Sequence, residues 1–195
     1  MAFISSLEVA ERLRTRGIKF ITKTEIARLF EIGNANTTYK LLQRLEAKKI
    51  LRRATAGIYL VSQMSVSDFE IANGAVYPSY VSLESALSHY GILAQFPFSI
   101  SSVTTKRGRR FKFNNKEFEY VHVDPRLYWG FIKNNNFIMA RPEKALLDMI
   151  YFQLKGLRKI SLEELDMTSI DKKVLKEYGA KINGMTKYLR RCKLI

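Results

Sequence analysis

Leu41, Leu42 and Leu45 recur at helical spacing, with cations and amides on the opposite side, so the pattern predicts an amphipathic helix over about Thr37–Lys49. Asn36 stands before it as a capping residue. Two further helices are predicted upstream, each opening on a capping box with flanking apolar residues that can staple the first turn. In the first, over Ser6–Arg16, these are Ser5-x-x-Glu8 with Ile4 and Val9. In the second, over Lys23–Ile32, they are Thr22-x-x-Glu25 with Ile21 and Ile26. Gly17 and Gly33 stand where C-terminal caps are expected. After the third helix, ILRR–ATAG–IYLV reads as strand, tight turn and strand. Three helices, the last two joined by the turn GNAN, followed by a β-hairpin are the element order of a winged helix-turn-helix.

The stretch SQMSVS is polar and aperiodic, and it divides the chain into expected domains at residues 1–63 and 64–195. Beyond it, a helix is expected to start near Asp68. Leu83, Ala86, Leu87 and Tyr90 fall at i, i+3, i+4 and i+7 of another, closed by Gly91. FSISSVTT and FKFNNKEFEYVHV read as β-segments, the second turning at Asn114-Asn115, with Phe118, Tyr120 and His122 expected on one face. Pro142 marks a helix start. Ala145, Leu146, Met149, Ile150 and Leu154 then make a wide apolar face, and Lys144, Asp148 and Lys155 are expected opposite it, with Lys144 and Asp148 as a helix-surface i, i+4 pair. Ser161-x-x-Glu164 is a further capping box, and GMTKYLRRCK predicts a basic C-terminal helix. The predicted class is α+β: an N-terminal winged helix-turn-helix followed by a mixed α/β C-terminal domain.

Charge sharpens this reading. The 195 residues carry 33 Lys+Arg against 18 Asp+Glu, a net of +15, which favours a polyanionic partner. A helix in the major groove needs short polar groups at its N-terminal end and long donors further along. Asn36, Thr37, Thr38, Tyr39, Lys40, Gln43, Arg44 and Lys48 supply them. Arg52 and Arg53 lead into the hairpin, whose small tip at Thr55, Ala56 and Gly57 can approach a phosphate backbone. These residues are the expected duplex-DNA contacts. No Lys or Arg occurs from Ala54 to Thr105, and then KRGRRFK places Lys106, Arg107, Arg109, Arg110 and Lys112 within seven residues. Gly108 is expected to turn a hairpin there and project the cations together, as a second patch for nucleic acid, for an acidic protein partner, or as a solubilising tip.

Catalytic chemistry is not expected. His89 and His122 are far apart in sequence, Cys192 stands alone between Arg191 and Lys193, and no metal-ligand spacing or nucleophile motif is present, so no metal or cofactor is expected. His89 is placed on the polar side of its helix and His122 partly buried in the sheet. A lone cysteine gives no disulfide framework. The first residues lack an apolar run of signal-peptide length, and no stretch of about 18 apolar residues could span a bilayer, so a cytoplasmic protein without membrane attachment is expected.

The ordered phrases YPSYVSLESALSHYGIL, SSVTTKRGRRF, EYVHVDPRLYWGF and ARPEKALLDMIY, following a winged helix that ends in GIYLV, resemble the AbiE-type antitoxins (AbiEi family) of type IV abortive-infection toxin–antitoxin systems, over roughly residues 5–155. The resemblance implies a transcriptional autorepressor that binds its own promoter, at inverted repeats in many members. It also implies a C-terminal domain, here within Ser79–Tyr151, that counteracts a nucleotidyltransferase-like toxin directly or indirectly. It carries no catalytic residue onto the chain. The alternative reading is a transcriptional regulator with a ligand- or protein-sensing C-terminal domain and no toxin. A further alternative is an RNA-binding protein that uses both basic patches.

Overall fold

A computed structural model describes residues 4–62, 64–134 and 136–195. The architecture is α+β, in two compact units spanning 1–67 and 68–195.

The first unit runs α1 (Ser6–Thr15), β1 (Phe20–Thr22), α2 (Lys23–Leu29), α3 (Ala35–Ala47), β2 (Leu51–Thr55) and β3 (Ile58–Val61). Its three strands are antiparallel in the order β1-β3-β2. Ser5 caps α1 by accepting from the Glu8 amide at 3.1 Å, and Thr22 and Glu25 form the complete reciprocal capping box of α2. Gly17 takes the left-handed conformation past the end of α1. The end of α2 differs from expectation: it stops at Leu29, and Glu31, not Gly33, carries the positive φ. The cap of α3 also shifts. Asn34 is the capping residue, its Oδ1 accepting from the amides of Asn36 (2.8 Å) and Thr37 (3.4 Å), so Asn36 lies inside the first turn. Val9 and Leu13 of α1, Ile21 of β1, Ile26 of α2, Leu41, Leu42 and Leu45 of α3, and Leu51 and Tyr59 of the hairpin form one core. Each leucine so buried contributes about 1.5–3 kcal/mol relative to exposure.

The second unit is built on a mixed six-stranded sheet of order β6-β7-β5-β4-β9-β8. The strands are β4 (Ser79–Val81), β5 (Ser99–Thr104), β6 (Arg109–Phe113), β7 (Lys116–His122), β8 (Phe131–Asn134) and β9 (Phe137–Ala140). β5 pairs parallel with β7 and β4 parallel with β9, while the other neighbours are antiparallel. α4 (Asp68–Ala75) lies on one face, where the Tyr120 hydroxyl donates to the Ala72 carbonyl at 2.6 Å. α5 (Leu83–His89) and α6 (Pro142–Leu154) lie on the other, where Ser85 and Ser101 exchange hydrogen bonds. α7 (Lys172–Ala180) and α8 (Met185–Arg191) follow. Asn114 and Asn115 both take positive φ and turn β6 tightly into β7. Ser161-x-x-Glu164 opens only a single 3-10 turn, with no side-chain cap.

The main correction concerns α6, which is buried on almost every side from Glu143 to Ile150. Lys144 is fully inaccessible and Asp148 nearly so; they form an interior ion pair rather than a surface one. The Asp148 carboxylate accepts from Lys144 Nζ, from the Tyr80 hydroxyl at 2.9 Å and from the Ser82 hydroxyl at 2.8 Å. Lys144 Nζ also donates to the Tyr80 oxygen at 3.0 Å and lies 4.9 Å from the centre of the Trp129 ring. The ammonium thus meets a carboxylate, a phenol and an aromatic face, which offsets the cost of removing it from water. Gly130 is required beside it, because a Cβ there would come within 2.9 Å of Lys144 Cγ. Burial first, and then the Asp148 charge, push the Tyr80 hydroxyl well above its ordinary pKa, so it stays protonated and can donate.

Candidate nucleic-acid interface

The α3 leucine stripe and Thr38 face the core, and this fixes what the helix presents outward. Asn36, Thr37, Tyr39, Lys40, Gln43 and Lys48 are exposed, Tyr39 at 54%. With 13 residues the helix is about 20 Å long, enough to lie in a major groove. Its outward side carries two cations and several amide or hydroxyl groups and no carboxylate, since Glu46 is half-buried and adds to the upward shift that burial gives the Tyr59 hydroxyl.

Two expected contacts have other employment. Thr38 is buried, its hydroxyl donating to the Asn34 carbonyl at 3.2 Å, so it serves the first turn of the helix. Arg44 is half-buried and its guanidinium donates to the Ile4 carbonyl, tying the start of the unit to α3.

The hairpin presents its arginines through an irregularity. Regular alternation would turn one of two successive residues inward. In β2 the pairing with β3 shifts between Arg53 and Thr55, and Arg52 and Arg53 are both exposed between buried Leu51 and Ala54. Thr55 is half-buried at the turn, and Gly57 supplies the left-handed residue that the two-residue tip requires.

The second basic cluster is not the expected hairpin tip. β5 and β6 are not neighbours, because β7 lies between them, so residues 105–108 cross over the end of β7. Gly108 is needed there for a close pass: a Cβ would stand 2.9 Å from the Tyr120 carbonyl oxygen. Lys106 and Arg107 are exposed in this crossing. Arg109 lies on the α4 face, donating to the Ala75 carbonyl, with Phe111 stacked on Phe118 at 5.1 Å. Arg110 and Lys112 alternate onto the opposite face, across from Glu119 and Glu117 of β7. Arg110 Nε is 3.0 Å from Glu119, which is also held by Arg158 at 2.7 Å. Burial pushes the Glu119 carboxyl up, but the bonds from Arg158 and Arg110 outweigh it and hold the pKa below the usual range. Arg109 and Arg110 are therefore engaged within the second unit, and Lys112 stands opposite Glu117 in the register.

His122 is exposed rather than tucked into the sheet, with Nδ1 3.0 Å from the Lys106 carbonyl. His89 is exposed and packs edge-on against Phe69 at 5.6 Å. Among the described residues, no group of three or more His, Cys, Asp or Glu is placed to hold a metal ion, and no helix is long and apolar enough to cross a membrane. Sequence reasoning missed the Lys144–Asp148–Tyr80–Ser82 network and Arg158; an i, i+4 Lys–Asp pair was visible, but nothing local marked it as interior. Compared with known proteins, the chain matches no family model and no curated sequence.

Proposed function

We propose that residues 4–62 form a winged helix-turn-helix that binds duplex DNA, with α3 in the major groove and the β2–β3 hairpin as a wing on the phosphate backbone. The observation that supports this best is the outward side of α3. It is free of carboxylate, carries Asn36, Thr37, Lys40, Gln43 and Lys48, and is followed directly by exposed Arg52 and Arg53 in a chain of net charge +15. Phosphate contacts from Lys48, Arg52 and Arg53 set the register, and Asn36, Lys40 and Gln43 reach base edges. In keeping with the resemblance to AbiE-type antitoxins, the protein represses its own promoter, two copies reading an inverted repeat, and the second unit counteracts a nucleotidyltransferase-like toxin.

The test is a binding titration on the duplex upstream of the gene, beside a scrambled duplex, at several salt concentrations. A preference of about a thousandfold or more supports a specific repressor. Equal and steeply salt-dependent binding to both leaves only attraction to phosphate. Co-expression with the product of an adjacent nucleotidyltransferase-like gene tests the antitoxin role: growth should be rescued by residues 64–195 as well as by the full chain, provided the fragment is shown to be folded.

A further inference from the structure

The second unit contains a half-open cleft of about 370 Å³ that the DNA reading does not use. Three segments distant in sequence build it: the 3-10 turn Pro125–Leu127, the end of α6 at Tyr151, and the turn at 181–183 between α7 and α8. We propose that this cleft binds a nucleoside monophosphate, that is, a phosphate joined through a pentose to a planar base.

A phosphate would meet two lining cations, each engaged by neighbouring groups. The Asp124 carboxylate holds the Arg126 guanidinium flat through two bonds, from Nε at 3.0 Å and Nη2 at 2.9 Å. The pair uses two of five N–H groups and leaves the others to a ligand oxygen. Lys181 Nζ is held over the rings of Trp129 and Tyr178, at 5.3 and 5.1 Å, and 3.1 Å from Glu177. Among the lining residues, Arg126 and Lys181 against Asp124 leave a surplus of one. That surplus suits a single phosphate better than a polyphosphate chain.

The remaining lining suits a base. Leu127 and Ile182 are apolar walls, and Tyr151 offers an aromatic one. Among the described residues, neither the Tyr151 hydroxyl nor the Asn183 amide has a hydrogen-bond partner, so both are available to a base edge. The volume lies at the small end of the roughly 300–1,000 Å³ range of ligand sites, which fits one nucleotide rather than two.

The experiment is an amide-resolved NMR titration of the full chain with adenosine 5′-monophosphate and uridine 5′-monophosphate. Adenosine alone, inorganic phosphate alone and a 5′-phosphorylated tetranucleotide serve as further arms. The expected result is saturable shifts centred on Leu127, Tyr151 and Asn183, with a Kd of about 0.1–1 mM. Adenosine and phosphate should each bind about tenfold more weakly. Lys181→Ala and Arg126→Ala, both on exposed side chains, should each weaken binding by about five- to tenfold. Tighter binding of the tetranucleotide than of the free nucleotides would identify a strand end as the natural source and still support the site. Phosphate binding as tightly as the nucleotides, no saturable shift, or shifts confined to α3 and unmoved by Lys181→Ala would each overturn the proposal. None of these outcomes depends on whether α3 binds DNA.

Discussion

α3 and α6 are both 13-residue helices with an apolar stripe and lysines on the other side, yet they treat their polar groups in opposite ways. α3 turns Lys40 and Gln43 to solvent and buries its leucines. α6 buries its apolar face except Leu154, which is 54% exposed at the helix end against expectation, and buries Lys144 and Asp148 as well, because Tyr80 and Ser82 at the β4–α5 junction approach what would otherwise be its solvent side. The same spacing of charges gives a surface available to a partner in one case and an internal lock in the other. What distinguishes them is the chemistry brought up by residues 64 to 68 positions away in sequence, which a helical wheel cannot display.

The most severe way to probe this contrast is to break the lock. Asp148→Ala leaves the Lys144 ammonium buried without its carboxylate and should cost about 3–5 kcal/mol in chemical denaturation. Replacing both residues with Met and Leu should recover much of that loss. A single substitution as mild as one on the surface would mean that water reaches the pair.

A middle-sized effect is expected at Arg158, which bridges Glu119 of β7 and Glu84 of α5. Arg158→Ala should cost about 1–2 kcal/mol near neutral pH. The sign of its pH dependence follows from Glu119, whose folded pKa lies below its unfolded value. The stabilisation is fully present above the ordinary Glu pKa of about 4.3 and is lost as pH falls through the folded value. The two proteins should therefore converge in acid, and denaturation midpoints measured from pH 7 down to pH 3 would show whether they do.

The smallest stability effects belong on α3 and the β2–β3 hairpin. Lys40→Ala and Gln43→Ala should change folding stability by no more than about 0.5 kcal/mol. On the proposed reading as a duplex-DNA binder, Arg52→Ala with Arg53→Ala should weaken binding about equally on all duplexes and lower the log–log salt slope by roughly 0.9 per lost phosphate contact. An unaltered slope would remove the wing from the interface.

Legibility in the sequence followed the same division. α1, α2, α3 and the β2–β3 hairpin were readable because caps, leucine spacing and a Gly-containing tip are local signals. The Asn114-Asn115 turn and Pro142 were readable for the same reason. β1, β4, β8 and β9 were not; at three or four residues each, they exist by pairing with distant strands rather than by their own pattern. The basic cluster was visible as composition but not as geometry, since a crossover past β7 and a hairpin tip leave the same KRGRRFK in the chain. Within the candidate interface, Lys40 and Gln43 could be placed from periodicity alone, whereas Asn36, expected as the cap, lies inside the first turn. The engagement of Arg44 with the Ile4 carbonyl could not, because it joins residues 40 positions apart.

The interior lock also bears on how such a chain can diverge. Lys144, Asp148, Tyr80 and Ser82 satisfy one another, so a sequence that loses one of them inherits a buried charge or an unmatched hydroxyl, and its neighbours come under pressure to follow. Among descendants of this fold the four positions should drift as a set, passing together to an apolar cluster or staying together as they are. Gly130, pressed against the Lys144 stem, should gain a side chain only where that stem has shortened.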